Sequence, residues 1–158
     1  MAPGVARGLA AAAGILALLA APRAASASLG GDVSSVTVDW SRLNGVDRVV
    51  ARPDGHVHEI RLPGGTIVRE YLSAADVVFA VTWRGPFRPN LRQLLGGYFE
   101  VFEQEAQAAR SRRPGRGPLV VRRPELVVEM GGHVRDFFGR AIALNLVPQA
   151  ADAADIQY

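Results

Sequence analysis

Three strand-length runs rich in β-branched and aromatic residues follow one another in the middle of the chain, a composition typical of β-strands. The runs are residues 56–62, 66–72 and 77–83. Pro63-Gly64-Gly65 separates the first two, and three residues containing glycine form a hairpin loop. In the third run, the residues at alternate positions are Val77, Phe79, Val81 and Trp83. We therefore predict a three-stranded antiparallel meander whose third strand turns this apolar set towards the core.

An amphipathic helix is expected after the meander. Asn90 can cap its first turn, and Gln93, three residues later, can return a hydrogen bond in the pattern of a capping box. Apolar residues then recur along one stripe at helical spacing. They are Leu91, Leu94, Leu95, Tyr98, Phe102, Ala106 and Ala109. The pattern predicts a helix over about residues 90–110 that buries Leu94, Leu95, Tyr98 and Phe102 against the sheet.

Further strand-length runs follow the predicted helix, over residues 119–122, 125–130 and 133–143. Gly131-Gly132 separates the last two, and a two-residue connection of this kind is typical of a tight hairpin. Three strands, one long helix and two or three more strands predict an α+β fold with the helix packed on an antiparallel sheet. This single domain is expected over residues 28–148, followed by a loose alanine-rich tail over 149–158.

Residues 1–27 have the three parts of a cleavable signal peptide. Arg7 gives a positive start, residues 9–21 carry no charge, and Ala25-Ser26-Ala27 supplies a small-x-small cleavage pattern. The uncharged run has 13 residues, fewer than the roughly 20 that a bilayer-spanning helix needs, which argues against an uncleaved anchor. We therefore expect an exported protein, periplasmic or secreted, that has no transmembrane segment after cleavage.

The charged and sulfur-containing residues limit the chemistry of the chain. It has no cysteine, so it has neither disulfides nor thiol chemistry, although an oxidising compartment would permit disulfides. Every positive side chain is arginine, and the two in the leader, Arg7 and Arg23, account for two of the formal net charge of +3. The exported domain is therefore nearly neutral, and neither its charge nor its expected location suits a nucleic-acid partner.

Several stretches, taken together, resemble one family of bacterial proteins. They are Gly-Thr-Ile-Val-Arg-Glu-Tyr at 65–71, Val-Phe-Ala-Val-Thr-Trp-Arg-Gly-Pro at 78–86, Pro-Asn-Leu-Arg-Gln-Leu-Leu-Gly at 89–96, Gly-Gly-His-Val-Arg at 131–135 and Gly-Arg-Ala at 139–141. The chain resembles, over roughly residues 28–157, the secreted Gram-negative family called domain of unknown function 2844. That family has no assigned activity, so the resemblance implies membership and an exported location, and no mechanism.

A candidate binding site is formed by arginine and aromatic residues in and beside these motifs. It comprises Arg69, Tyr71, Arg84, His133 and Arg135. Such side chains are common anchors of binding surfaces, and a pair of arginines can hold a carboxylate or phosphate by forked hydrogen bonds. The competing interpretation places Trp83 in the core and pairs the arginines with Glu70 and Asp136. A second basic stretch, over residues 110–123, is either a solvated loop or a contact for anionic lipid or polysaccharide.

Catalytic signatures are absent from the sequence. His56 and His58 share one face of the first run, and with His133 they could bind zinc. However, the sequence places no acidic residue behind them and contains neither an HExxH nor an HxxEH pattern. No serine has the setting of a nucleophile elbow. Glu70 and Glu129 are expected at the surface or paired with arginines. We therefore expect no catalytic residue, no metal and no cofactor.

Two functional hypotheses follow. The first is a non-catalytic binding or accessory module for an envelope or surface-assembly component, with an anionic envelope component or a periplasmic protein as partner. The second is a small periplasmic hydrolase or metal-dependent enzyme that uses His56, His58 and His133. The missing motifs favour the first.

The leader predicts that the mature protein begins at Ser28, because cleavage follows the small residue at the end of Ala25-Ser26-Ala27. The measurement is the intact mass of protein recovered from a Gram-negative host. A mass that includes Met1 would contradict the prediction.

Overall fold

A computed structural model describes residues 29–34, 36, 41, 45–112, 115, 117–152 and 155–158. The predicted leader and its cleavage site lie outside these residues. The strands of the described chain are β1 (Val46–Arg52), β2 (Gly55–Arg61), β3 (Ile67–Ser73), β4 (Val78–Gly85), β5 (Leu119–Arg122), β6 (Leu126–His133) and β7 (Asp136–Ala143). They form one sheet in the order β1-β2-β3-β4-β7-β6-β5, and every neighbouring pair is antiparallel.

The predicted meander and the α+β class are confirmed. Strands β2, β3 and β4 occupy the three runs identified in the sequence, and β1 extends the meander at its outer edge. After β4 the helical segment leads the chain to the opposite edge of the sheet, where β5 begins a second antiparallel unit. This unit returns through β6 to β7, which pairs with β4 and so joins the two halves.

The helical segment has two parts, α1 (Leu91–Leu95) and α2 (Phe99–Arg112), connected by a 3-10 turn over Gly96–Tyr98. Asn90 caps it as predicted, since its Oδ1 accepts a hydrogen bond from the Gln93 amide at 3.3 Å. Gly96 has a φ of +48° and a ψ of −122°, which glycine adopts without steric penalty. The glycine pair therefore interrupts the predicted helix between α1 and α2.

The helical segment covers one face of the sheet, here called the inner face. Leu94, Leu95 and Phe102 are buried there in a core that also contains Val81 and Trp83. These three helical side chains confirm the predicted buried stripe. Tyr98 differs, because it is only half-buried and its hydroxyl donates to Asn145 Oδ1 at 3.1 Å.

A β-bulge in β4 corrects the prediction that Val77, Phe79, Val81 and Trp83 share one face. Tyr71 pairs with Ala80 and Leu72 pairs with Val78, so Phe79 is the extra residue on β4. Val81 and Trp83 point to the inner face, whereas Phe79 packs on the opposite face, here called the outer face. Val77 lies before the strand. Both faces of β4 are consequently buried.

The second predicted hairpin is also shifted. Gly131 and Gly132 lie within β6, and the turn is Val134-Arg135. Arg135 has a φ of +69°, the left-handed conformation that tight turns require. The glycines serve close packing instead: a Cβ at Gly131 would lie 3.0 Å from the Phe138 ring, and one at Gly132 would collide with the Asp136 backbone.

The structure differs from the predicted loose tail, because its last residues pack on the outer face. Ile156 is 1% exposed and lies in a small core with Val57, Tyr71, Phe79, Ala80 and Ile142. The Ile156 carbonyl accepts a hydrogen bond from Arg140 Nη1 at 3.0 Å, and the Gln157 carbonyl accepts one from the Tyr71 hydroxyl at 3.3 Å. The central strands carry apolar side chains on their outer face, and the tail removes them from water.

Within the part of the chain that the structure describes, no helix has the length and apolar character needed to cross a membrane.

Docking of the tail predicts that Ile156→Ala lowers the free energy of unfolding by about 2–5 kcal/mol, the range for truncating a buried isoleucine. Urea denaturation, monitored by circular dichroism, measures this change in the free energy of unfolding. Val134→Ala is the control, because Val134 is 83% exposed and surface substitutions change stability by less than about 0.5 kcal/mol. A loss below that value for Ile156→Ala would contradict the docked tail.

Two buried threonines give a matched test of hydrogen bonding. The Thr66 hydroxyl donates to the Phe87 carbonyl at 2.8 Å and accepts from the Phe87 amide at 3.2 Å. The Thr82 hydroxyl is buried and has no hydrogen-bond partner among the described residues. Thr66→Val is therefore expected to lower the free energy of unfolding by about 1–3 kcal/mol.

Thr82→Val, in contrast, is expected to leave this free energy unchanged or to raise it by up to about 1 kcal/mol, because a desolvated hydroxyl without a partner is removed. Thermal and urea denaturation of both variants measure the difference. Equal losses in the two variants would contradict this assignment of hydrogen bonds.

Candidate functional site

Three arginines surround one apolar residue on the outer face of the meander. Arg61 pairs with Ile67 across β2 and β3, and Ile67 pairs with Arg84 across β3 and β4. Arg69 lies two residues beyond Ile67 on the same strand and therefore on the same face. Adjacent strands lie about 4.8 Å apart, which separates the Cα atoms of Arg61 and Arg84 by about 10 Å. We call Arg61, Arg69 and Arg84 the arginine cluster.

The side chains of the arginine cluster remain open to solvent, with exposed fractions of 62%, 34% and 57% for Arg61, Arg69 and Arg84. Arg69 Nε donates to Glu59 Oε2 at 3.0 Å, whereas Arg61 Nη2 lies 3.9 Å from Glu59 Oε1. Arg84 Nε lies 3.5 Å from Asp136 Oδ1. Two carboxylates thus face three guanidinium groups, which leaves an excess positive charge on an exposed surface.

The competing interpretation of the arginines agrees with these contacts only in part. Trp83 is in the core, at 1% exposed, and Arg84 faces Asp136, as the competing interpretation expects. Arg69, however, pairs with Glu59 and not with Glu70. Glu70 points to the inner face and is fully buried, because it alternates with Arg69 along β3. The expectation that Glu70 lies at the surface is therefore wrong.

A row of polar residues, all charged except Thr82, extends from the arginine cluster across the outer face. In register order, from β1 to β6, it reads Arg48, Glu59, Arg69, Thr82, Arg140 and Glu129. Arg140 donates to Glu129 Oε2 from Nε at 3.0 Å and from Nη2 at 2.8 Å, and Arg122 Nη2 donates to Glu129 Oε1 at 2.9 Å. Glu129 is thus paired with arginines, as expected. Opposite charges on adjacent strands stabilise this register.

The remaining predicted site residues do not join the arginine cluster. Tyr71 shares its face but is 5% exposed beneath the tail. His133 ends β6 opposite Asp136, the residue that also faces Arg84. Arg135 is exposed in the following turn. Of the predicted set, Arg69 and Arg84 thus lie on adjacent strands of one sheet face, whereas Tyr71 is covered and the other two residues belong to the β6–β7 hairpin.

Arg61 is the member of the arginine cluster that the sequence interpretation missed. The signal was present, because the three-residue loop Pro63-Gly64-Gly65 fixes the register of the first hairpin. That register places Arg61 opposite Ile67, and Ile67 and Arg69 share a face by strand alternation.

The three histidines are not brought together. His56 and His58 lie on β2 with ring centroids 5.3 Å apart, and His58 Nδ1 lies 2.7 Å from Asp47 Oδ2. His133 lies on β6, four strand spacings away in the sheet order, or about 19 Å. Among the described residues, no group of three or more histidine, aspartate or glutamate side chains is arranged to hold a metal ion.

The fold and the site define a small α+β domain with an arginine-rich sheet face. The chain belongs to the family described as protein of unknown function (DUF2844), whose model matches residues 25–156. The resemblance seen in the sequence motifs is thereby confirmed. No curated protein and no solved structure matches the chain.

Proposed function

We propose that this protein is an exported, non-catalytic binding or accessory module that holds an anionic component of the cell envelope or of a surface-assembly system. The arginine cluster is the observation that carries the proposal. It presents three guanidinium groups on one rigid sheet face, where they outnumber the neighbouring carboxylates.

The chemistry of these side chains suits binding better than proton transfer. Arginine stays protonated at ordinary pH, and its planar fork matches carboxylate and phosphate groups. Arg61 and Arg84 face their carboxylates at 3.9 and 3.5 Å, and exposed ion pairs of this kind contribute little to stability. Both guanidinium groups can therefore turn to an incoming anion at small cost to the fold.

Export is supported by the leader and is compatible with the contacts of Leu29. The Leu29 amide donates to the Leu94 carbonyl at 3.0 Å, and its side chain is 2% exposed. Leu29 thus belongs to the domain, and the expected cleavage before Ser28 leaves its contacts intact. The proposed location is the periplasm or the space beyond the outer membrane.

The alternative, a small hydrolase or metal-dependent enzyme that uses His56, His58 and His133, has one feature in its favour. The short contact between His58 and Asp47 resembles the orientation of a catalytic imidazole by a carboxylate. The geometry supports this alternative less well, because His58 is 8% exposed and His133 lies on a distant strand.

The proposal predicts that Arg61→Ala/Arg84→Ala lowers affinity for anionic polymers and anionic membranes at least tenfold, about 1.4 kcal/mol. The processed protein is titrated with dextran sulfate and, separately, with vesicles containing phosphatidylglycerol. Dextran and phosphatidylcholine vesicles are the uncharged counterparts. The two arms distinguish a polysaccharide from a lipid headgroup.

The matched control is Arg92→Ala/Arg112→Ala, which removes the same charge from exposed residues of the helical segment. It should bind within about twofold of wild type, because these two arginines lie outside the arginine cluster. A nonspecific attraction, which depends on net charge and not on position, would instead weaken equally in both variants. Equal losses in both variants, or no binding of wild-type protein to either anionic probe, would overturn the proposed function. Circular dichroism checks that the variants remain folded.

A further inference from the structure

A cleft of about 1040 Å³ opens at one end of the sheet. Its walls come from the last turn of α2, from β5 and β6, from the start of β7, and from Arg88 in the segment after β4. Its volume lies at the upper end of the range of small-molecule sites, about 300–1,000 Å³. The cleft is separate from the arginine cluster, which lies on the outer face of β2, β3 and β4.

The walls of the cleft combine apolar and polar surface in nearly equal shares. Leu119 and Met130 contribute from adjacent strands, and Phe137 and Val134 from the β6–β7 hairpin. Gly131 and Gly132 add backbone without side chains, and their packing against Phe138 and Asp136 keeps larger residues out of these positions. An apolar ligand segment would find a nonpolar surface here.

The polar side chains of the described lining are Arg88, Arg110 and His133, and no carboxylate is among the described residues that line the cleft. The Arg88 guanidinium lies over the Phe137 ring, 4.7 Å from its centroid, a cation–π contact that holds it against the wall. Neither Arg88 nor Arg110 forms an ion pair within the described chain, unlike the arginines that face Glu59, Glu129 and Asp136.

From this combination, we infer that the cleft binds a single-chain amphiphile with an anionic head group, either a carboxylate or a phosphate. The apolar part of the walls would take the chain, and the two arginines, which have no carboxylate partner among the described residues, would take the head group by charge-assisted hydrogen bonds. A wholly polar anion would leave Leu119, Met130 and Phe137 in contact with water, and a neutral chain would leave both guanidinium groups without a counter-charge.

The test is isothermal titration calorimetry of the processed protein with submicellar dodecanoate and dodecyl phosphate. Dodecanol supplies the chain without the charge, and acetate supplies the charge without the chain. Both anionic amphiphiles, or one of them, should bind at least tenfold more tightly than dodecanol and acetate. Comparison of the two anionic probes identifies the head group.

Arg88→Ala/Arg110→Ala should weaken binding at least tenfold. Arg92→Ala/Arg112→Ala makes the same change in charge at exposed residues that are not among the lining residues, and it should leave binding within twofold. Because Arg88 packs on Phe137, a second test uses the mouth of the cleft. Val134 is 83% exposed, so Val134→Glu adds a negative charge there without disturbing the core. It should weaken binding at least fivefold, whereas Val134→Gln should not.

Binding of dodecanol as tight as that of the anionic probes would overturn the inference, as would absence of binding by both anionic amphiphiles. Unchanged affinity in Val134→Glu together with unchanged affinity in the Arg88/Arg110 double variant would do so too, because the ligand would then bind elsewhere. The proposed function depends on different residues and different probes, so either proposal can fail alone.

Discussion

The contact between Trp83 and Gly139 lies at the seam on which the rest of the structure depends. Trp83 in β4 and Gly139 in β7 are register partners, and a side chain on Gly139 would occupy the space of the indole ring. This pairing connects the meander β1–β4 to the unit β5–β7. Without it, two small sheets would each expose an unpaired edge. The glycine lets a large aromatic ring cover the seam from the inner face while the strands remain hydrogen-bonded.

Burial of β4 on both faces explains where the polar residues are. Val78 to Trp83 are all buried, beneath the helical segment on one side and the C-terminal tail on the other. The tail covers the outer face in the row of Tyr71, Ala80 and Ile142. Charged side chains therefore occupy the rows beside this strip, where the register sets arginines opposite glutamates. The arginine cluster arises at the end of this pattern, where the guanidinium groups outnumber the carboxylates.

Local signals in the sequence predicted the elements that depend on neighbouring residues. The loop at Pro63-Gly64-Gly65 determined the first hairpin, and Asn90 determined the start of the helical segment. The predictions that were wrong concern residues whose positions depend on contacts distant in sequence. The β-bulge places Phe79 on the outer face, in the core that contains Ile156 of the tail. Gly131-Gly132 has the composition of a turn, but it lies within β6, where Gly131 leaves room for the Phe138 ring.

The candidate site shows the same division between local and distant determinants. The sequence could place Arg69 and Arg84 near each other, and it could also have placed Arg61 on the same sheet face, because hairpin register and strand alternation are local rules. The burial of Tyr71 could not be predicted, because it depends on the C-terminal tail. The Gln157 carbonyl, 86 residues away in sequence, accepts a hydrogen bond from the Tyr71 hydroxyl. The sequence also gave no sign that Arg88 and Arg110 line one cleft, because they belong to the segment after β4 and to the end of α2, and the fold brings them together.

The arginines of this protein differ in how much of their charge is already neutralised, and that difference separates structural from ligand-binding positions. Arg140 has both Nε and Nη2 within 3.0 Å of Glu129 and also donates to the tail, so it is committed to holding the fold. Arg61 and Arg84 are exposed and only loosely paired. A flat surface of this kind suits a repeating or extended anion that can contact several guanidinium groups at once. Arg88 and Arg110, in contrast, have no carboxylate partner in the part of the chain that the structure describes. They line a concave cleft with partly apolar walls, where one small amphipathic anion would satisfy both the charge and the nonpolar surface. The two surfaces thus differ in the ligands that they suit, although the same side chain dominates both.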